Sequence, residues 1–358
     1  MKLGLVGFGF GGRRFHAPFI KAANGVDLAG VVARSPETVA NVRADFPGVP
    51  VFASLSDMIA AEVVDAVTIT TPPTTRVSLV LEAIRAGLHV VADKPFAFHA
   101  ADAERMIRAA EEQGVVISAF QNRRWDSDLR TLAALVQNGD LGRVQRVHNR
   151  MDFPSLDGLL PGPEGGLLGD LGSHIVDQML WLLGPATSVF AQTVQGDVPG
   201  GRTDVGFVVN LLHASGASSH IEASKANHLH ARELRAYGES GAFVVNGGDA
   251  QVAAVLSGDL PVGGRPDWGA ETEDSWGTLY TDGSARRVPS VPSRYTDFYE
   301  AFASAVSHGG TPPVLPSDTI HTVAVLEAAR VSATTGQIVE IKRPVRPAAV
   351  TACQGDNK

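Results

Sequence analysis

The sequence contains a single cysteine, Cys353, which lies in a polar C-terminal stretch. One cysteine excludes a disulfide within the chain, as is usual for proteins of a reducing compartment, so we expect a cytoplasmic location. The first residues, Met1 and Lys2, lead directly into a short apolar run. That run has neither the length nor the cleavage site of a secretory signal, so we expect no signal peptide.

Long apolar runs and an excess of basic residues are also missing. No run approaches the roughly 18 apolar residues of a membrane helix, so we expect no membrane span. The 30 Lys and Arg are outnumbered by 38 Asp and Glu, and this net charge of -8 argues against nucleic-acid binding. Hydrophobic residues make up 44% of the 358 residues. The chain can therefore bury a sizeable core, and its length favours about two domains of roughly 150 residues each.

Short apolar runs alternate with helical segments through the first part of the chain. The runs predict strands at 3–7, 26–32, 51–52, 63–69, 89–92 and 115–120. Apolar spacing and helix-end residues predict helices at 36–46, 76–86 and 101–113. Because strands and helices alternate, we expect residues 1–121 to form an α/β domain around a doubly wound parallel sheet.

The pattern changes near residue 121, where strand-like runs follow one another with few helices between them. Helices are predicted at 126–138, 170–183, 296–307 and 317–335, and strands at 143–153, 188–195, 205–213, 218–225, 233–237, 242–246 and 339–341. Residues 154–169 read as a Gly- and Pro-rich loop, and 257–277 as an exposed excursion. This order predicts a second α/β domain at 122–343 with a mostly antiparallel sheet, followed by a disordered tail at 344–358.

A glycine-rich turn follows the first predicted strand, in the stretch GFGFGG at 7–12. Gly7 allows the tight turn, Gly9 lets the backbone approach a pyrophosphate, and Gly12 lets the following helix pack closely. The helix that begins near Phe10 offers free N–H groups to phosphates. An apolar strand before the turn and the alternating pattern after it favour dinucleotide binding over a turn that merely packs.

Two further strand ends are candidates for cofactor contact. An NAD-selective site usually has Asp or Glu where Ala33 stands, whereas Arg34 and Ser35 suit a 2′-phosphate, so NADP is favoured while NAD remains open. Thr70, Thr71 and Pro72 follow the fourth strand, which places them at the ligand crevice of an open α/β sheet. Each threonine could equally serve only to end the strand.

Lys94 and a downstream helix carry the candidate chemistry. Lys94 follows an apolar strand and precedes Pro95, which would fix it at the rim of the sheet, and we expect a cis peptide bond between the two residues. Asp170, His174 and Asp177 have the i, i+4, i+7 spacing of one helix face. His174 is a candidate general base, whose charged form a neighbouring carboxylate would stabilise. No metal is expected, because neither a cysteine nor a second histidine has ligand spacing.

The stretch Gln121 to Asp126 joins the two halves and could line the mouth of the site. We expect Asn122 near the cofactor, and Arg124, Trp125 and Asp177 near the substrate. Trp125 would give a sugar ring a flat apolar face. The alternative, a charged domain junction, is equally compatible with these residues.

Four stretches in order resemble the glucose-fructose oxidoreductase, inositol dehydrogenase and MocA family: GFGFGG at 7–12, TPP at 71–73, AGLHVVADKP at 86–95 and GGLLGDLGSHIVD at 165–177. FHAPFI at 15–20, DKP at 93–95 and NRRWDSD at 122–128 are most similar to the branch that contains NADP-dependent scyllo-inositol dehydrogenases. The resemblance implies a Rossmann domain and a second domain whose open antiparallel sheet supports homodimers or homotetramers.

The resemblance also implies an activity: an NAD(P)-dependent dehydrogenase for a secondary alcohol of a sugar, cyclitol or related polyol. Lys94, Asp170 and His174 match the family's catalytic lysine, aspartate and histidine. Asp93 replaces the usual Glu, and Arg76 replaces a His found in many members. Redox-assisted glycoside cleavage and a non-catalytic, cofactor-sensing regulator are the alternatives on this fold.

Overall fold

The computed structural model describes residues 1–261, 265 and 267–341. The predicted disordered tail at 344–358, with Cys353, lies outside the described residues. Within them, no helix is both long and apolar enough to cross a membrane.

Six parallel strands form the first sheet, in the spatial order β3-β2-β1-β4-β5-β6. They are β1 (Lys2–Val6), β2 (Asp27–Val32), β3 (Val51–Phe52), β4 (Ala66–Ile69), β5 (His89–Ala92) and β6 (Ile117–Ala119). The helices between them are α1 (Ala17–Ala22), α2 (Pro36–Asp45), α3 (Leu55–Ala60), α4 (Pro73–Arg85) and α5 (Ala100–Gln113). The predicted doubly wound sheet is confirmed, and its order reverses between β1 and β4, which opens a crevice at their carboxyl ends.

Local sequence explains where several helices begin and end. The Ser35 hydroxyl accepts the N–H of Thr38, and Pro36 occupies the first turn of α2. Helix α5 ends at Gly114, whose φ of 70° is left-handed. The short helix α3 was not predicted, because its six residues are too few to show a clear apolar period.

Nine strands form the second sheet, in the order β14-β13-β12-β11-β7-β10-β9-β8-β15. They are β7 (Val144–Asp152), β8 (Ala186–Val198), β9 (Gly201–His213), β10 (Ser218–Ser224), β11 (Ala231–Gly238), β12 (Ala242–Asn246), β13 (Gly277–Thr281), β14 (Ser284–Val288) and β15 (Val339–Glu340). Only the β7–β10 pair is parallel among these described strands, so the expected mostly antiparallel sheet is confirmed.

Six further α-helices follow β6 along the described chain: α6 (Ser127–Gln137), α7 (Leu167–Asp170), α8 (Gly172–Leu183), α9 (Ala250–Ser257), α10 (Thr296–His308) and α11 (Pro316–Thr335). Alternate residues of β10 and β11 are buried, as in strands with one covered face. Helices α6, α8 and α11 contact this sheet. The opposite face of the sheet carries polar side chains, several of which line a groove: Arg146, His148, Asn210, His220, Glu222 and Arg235.

The end of the chain returns to the first core. Tyr295, Phe298 and Phe302 are fully buried there, together with strands β1 and β4. Trp268 also reaches this core, with its ring centroid 5.7 Å from that of Phe19. Many of the described residues of 257–277 are exposed, as expected for an excursion, but the indole of Trp268 is partly buried against the first core.

A buried ion pair joins the link between the two sheets to α8. The Arg124 guanidinium donates from Nε and Nη2 to the two carboxylate oxygens of Asp177, each at 2.7 Å, and from Nη1 to Asp318 at 3.2 Å. The side chains of Arg124 and Asp177 are 5% and 1% exposed. This bidentate geometry favours the charged-junction alternative over substrate contact for both residues.

We expect Arg124→Ala to lower the free energy of unfolding by about 3–5 kcal/mol, because Asp177 would be left buried and uncompensated. Urea unfolding measures the change. The matched control is Arg105→Ala, since Arg105 is exposed and its ion pair is with Asp102, one helical turn away. The control should change stability by less than about 0.5 kcal/mol. Equal stability of the two variants would contradict this assignment.

Candidate active site

The glycine turn follows β1 and leads into a helical stretch from Phe10 to Ala22. Gly7 has a φ of 103°, which glycine adopts without strain. A side chain at Gly12 would collide with the carbonyl oxygen of Gly7, whereas a Cβ at Gly9 would meet nothing within 4 Å among the described residues. The backbone at Gly9 is therefore open to a ligand, which fits the pyrophosphate of a dinucleotide.

Six of the predicted cofactor residues line one groove beside the turn: Gly7, Gly9, Arg34, Ser35, Thr71 and Pro72. The Arg34 side chain is exposed at its rim. Thr70 differs from the others, because its hydroxyl donates to the Gly7 carbonyl at 3.0 Å and so supports the turn from behind. The groove combines free backbone, hydroxyls and a cation, which are the donors that a dinucleotide phosphate requires.

Two other predicted cofactor residues lie outside that groove lining. Phe10 begins the helical stretch, is 67% exposed and has its ring centroid 5.9 Å from that of Phe15. Asn122 is buried and begins a short 3-10 helix after β6. Their contacts with a cofactor stay predictions.

Lys94 stands on a rigid platform at the end of β5, and its peptide bond to Pro95 is cis. The carboxylate of Asp93 accepts the N–H of Lys94 at 2.8 Å and lies 3.4 Å from His16 Nε2. Burial opposes ionisation of Asp93, but His16, Arg76 and Lys94 outweigh it and lower the pKa of that carboxyl to about 2. His16 in turn bonds the Tyr299 hydroxyl at 2.6 Å, which ties the platform to α10.

Arg76 clamps the ends of β4 and β5 together from α4. Its guanidinium donates to the carbonyl of Thr71 at 2.7 Å and to the carbonyl of Pro95. The residue is 2% exposed. Arg76 therefore fixes the loop after β4, which lines the groove, relative to the loop that carries Lys94. The resemblance to the family, many of whose members have His at this position, did not predict this role.

The side chain of Lys94 reaches across to the second sheet's helices. Its Nζ donates to Asp170 Oδ1 at 2.5 Å, and the two side chains are 23% and 33% exposed. Burial would raise the pKa of Asp170, but Lys94, Lys225 and Arg123 lower it. Asp170 is therefore ionised and holds the ammonium of Lys94 in the crevice.

His174 lies beside this pair in the first part of α8 and is 6% exposed. Burial, Lys94 and Arg123 all hold its pKa well below the ordinary histidine range. Its Nδ1 is buried and has no hydrogen-bond partner within the described residues. The expectation that a carboxylate would stabilise charged His174 is wrong, because Asp170 is engaged by Lys94 and the nearby charges are positive.

The predicted Asp-His-Asp helix face is divided into two environments. Helix α7 ends at Asp170 and α8 begins at Gly172, so one continuous helix does not carry all three residues. Asp170 faces Lys94, whereas Asp177 is buried against Arg124.

Trp125 lies against α10 instead of offering a free face, with its ring centroid 5.7 Å from that of Phe298.

Lys225 is a member of this site that the sequence did not reveal. It follows β10, and its Nζ lies 3.7 Å from Asp170 Oδ2. The strand before it, SSHIEAS, alternates polar and apolar residues, so it lacks the continuous apolar run that singled out Lys94. No group of three or more His, Cys, Asp or Glu side chains that could hold a metal ion is present in the described part of the chain.

Comparison with known proteins agrees with this architecture. Residues 1–121 match the oxidoreductase family with an NAD-binding Rossmann fold, and residues 129–244 match the GFO/IDH/MocA C-terminal domain. The scyllo-inositol 2-dehydrogenase (NADP+) IolW of Bacillus subtilis is 29% identical over 92% of each chain. YdgJ of Escherichia coli, an uncharacterized oxidoreductase, is 31% identical over 91% of this chain and 94% of its own.

A solved structure shows the same fold over almost the whole chain. The yvaA protein of Bacillus subtilis, an inferred oxidoreductase, superposes with a TM-score of 0.86 at 27% identity, covering 95% of this chain and 100% of its own. The chain belongs to the GFO/IDH/MocA family of NAD-binding oxidoreductases.

Proposed function

We propose that the protein is an NAD(P)-dependent dehydrogenase that transfers a hydride between nicotinamide and a secondary alcohol or ketone of a sugar, cyclitol or related polyol. The observation that carries this proposal is the meeting of Lys94, Asp170 and His174 beside the crevice of the glycine turn. Similarity to IolW, which acts on scyllo-inositol, supports a polyhydroxylated substrate.

Oxidation of a carbinol requires a base for the hydroxyl proton and a donor for the developing negative oxygen. His174 suits the first task, because its lowered pKa keeps the imidazole neutral and ready to accept a proton. Lys94 suits the second, because Asp170 holds its ammonium in place while leaving further N–H donors. When bound, the nicotinamide supplies the hydride acceptor. In ketone reduction the hydride transfer is reversed, and protonated His174 returns the proton to the substrate oxygen.

A cavity next to this cluster offers room for the substrate. It is lined by Arg123, Phe153, His230 and Arg232, among other residues, and has a volume of about 540 Å³. Arg123 lines this cavity, and its positive charge also lowers the pKa of Asp170 and His174, so it connects the cavity with the proposed catalytic side chains. Guanidinium and imidazole groups beside the ring of Phe153 suit hydroxyl groups and the apolar face of a sugar or cyclitol.

The two alternatives have less support. A cofactor-sensing regulator would have no need to hold Lys94, Asp170 and His174 together. Redox-assisted glycoside cleavage is favoured by no contact within the described residues. We therefore retain hydride transfer to or from a polyol as the proposed reaction.

The polar face of the second sheet is the proposed surface for a homodimer or homotetramer. Arg146 lies 4.7 Å above the ring of Tyr237, and the His148 ring centroid is 5.5 Å from that of Tyr237. These contacts order the polar surface before any subunit binds.

We also propose that the enzyme works in the cytoplasm, in keeping with its single cysteine.

We expect Lys94→Met to lower kcat by about 100- to 1000-fold, because the donor to the reacting oxygen is lost. Turnover is measured with NADPH on scyllo-inosose and on a panel of ketoses. NADPH binding, followed by its fluorescence, should persist in the variant. Lys21→Met is the control, since Lys21 is exposed on α1. Full activity of Lys94→Met on the best substrate would rule out the proposed mechanism.

Alcohol oxidation should retain activity at an unusually low pH. Because the folded protein lowers the pKa of His174, the ring stays neutral until the pH falls below its ordinary value of about 6.5. The acid limb of kcat/KM for oxidation is therefore predicted below that value and should vanish in His174→Gln, whose residual rate is pH-independent in this range. An acid limb at or above 6.5 that depends on His174 would contradict the assignment.

We propose that NADP is preferred over NAD because Arg34 can bind the 2′-phosphate. Arg34→Ala should lower kcat/KM for NADP+ by about 10- to 100-fold while leaving that for NAD+ nearly unchanged. The ratio of the two values is the measurement, and Arg43→Ala, an exposed arginine of α2, is the control. An unchanged ratio would remove Arg34 from cofactor selection.

A further inference from the structure

Asp170 is held by two ammonium groups that come from different sheets. Lys94 follows β5 and binds Oδ1 at 2.5 Å, whereas Lys225 follows β10 and lies 3.7 Å from Oδ2. Only 13% of the Lys225 side chain is exposed. An ammonium this deeply covered requires partners, and Asp170 is its carboxylate partner in the described structure.

The backbone of Lys225 is fixed by neighbouring strands. Its N–H donates to the carbonyl of Val205 at 2.9 Å, and the Ser224 carbonyl accepts the N–H of Phe153 at 3.0 Å. The residue beside Val205, Asp204, accepts the N–H of Leu168 at 2.7 Å and so anchors α7 as well. One strand end therefore places both Lys225 and the helix that carries Asp170.

Lys225 also holds the loop that precedes α7. Its Nζ donates to the carbonyl of Asp157 at 2.7 Å. That carbonyl belongs to residues 154–166, which connect β7 to α7. A single ammonium thus links the loop to the carboxylate that positions Lys94.

We infer that Lys225 is a positioning residue, which keeps Asp170 oriented and ionised while Lys94 turns its donors to the reacting oxygen. This inference rests on the proposed dehydrogenase function. Lys94 cannot give its full charge to the substrate and to Asp170 at once, so a second cation must stabilise the carboxylate in the transition state. Lys225 supplies that charge from the end of β10, so its position does not depend on β5, which carries Lys94.

The test compares Lys225→Met, which keeps the apolar stem, and Lys225→Gln, which keeps a donor for Asp157, with Lys225→Arg, which keeps the charge. Both uncharged variants should lower kcat by about 10- to 100-fold with KM for NADPH unchanged. Lys225→Arg should keep most of the activity. Two different uncharged variants are made so that the test does not depend on the folding of either one. Circular dichroism measures whether each variant is folded.

Two readouts separate positioning from a structural role. With a substrate deuterated at the carbinol carbon, the uncharged variants should show a larger primary isotope effect, because the chemical step is slowed. In an Asp170→Asn background the same substitutions should have little further effect. Lys21→Met serves as the exposed-lysine control.

The possible failures are distinct. An inactive wild-type enzyme on every polyol and ketone tested would reject the proposed function. An active wild type with uncharged Lys225 variants of equal kcat and isotope effect would overturn the inference alone. A loss of equal size with and without the Asp170 carboxylate would also overturn it.

Discussion

The contact between Lys94 and Asp170 joins the two halves of the molecule at one point. Lys94 is delivered by the parallel sheet that holds the glycine turn, and Asp170 by the helices that contact the antiparallel sheet. Each partner alone would be a charged group in a partly covered crevice. Together they define a place where a polar substrate can meet a nicotinamide cofactor, so the chemistry depends on how accurately the two sheets are held relative to each other.

Electrostatics gives the three proposed catalytic side chains different states. Lys94, Lys225 and Arg123 surround Asp170 and His174 with positive charge. This field outweighs burial at Asp170 and lowers its pKa, whereas burial and the field both lower the pKa of His174, so an ionised Asp170 and a neutral His174 are favoured at the same pH. A carboxylate that holds a cation and an imidazole that accepts a proton can thus coexist in one small site.

The platform beneath the site keeps this arrangement rigid. Asp93 and Arg76 lock the lysine loop to the ends of β4 and β5, and His16 extends the network to Tyr299 on α10. The return of α10 to the first core therefore supports the active site as well as the fold. The buried pair of Arg124 and Asp177 performs the corresponding task on the other side, where α8 meets the link between the sheets.

The sequence predicts the features that depend on residues close together in the chain. Apolar runs predicted the first sheet and seven of the nine strands of the second, but missed β13 and β14. Strand ends and glycine spacing predicted the cofactor groove and Lys94. The partners of those residues were harder to find, because contacts such as His16 to Tyr299 join positions 283 residues apart. Helical spacing grouped Asp170 with Asp177, but it could not show that a turn at Leu171 separates them or that Arg124 covers the second carboxylate. Lys225 was missed because no motif surrounds it, and only the fold brings it to Asp170.

The most direct test of the account follows the hydrogen itself. The polyol that supports the fastest turnover is deuterated at its carbinol carbons and oxidised with NADP+, and the reduced cofactor is examined by mass spectrometry and NMR. Direct hydride transfer predicts one deuterium at carbon 4 of the nicotinamide for each ketone formed. Formation of product with the deuterium released to water, or with the cofactor unlabelled, would contradict direct hydride transfer at the Lys94, Asp170 and His174 site.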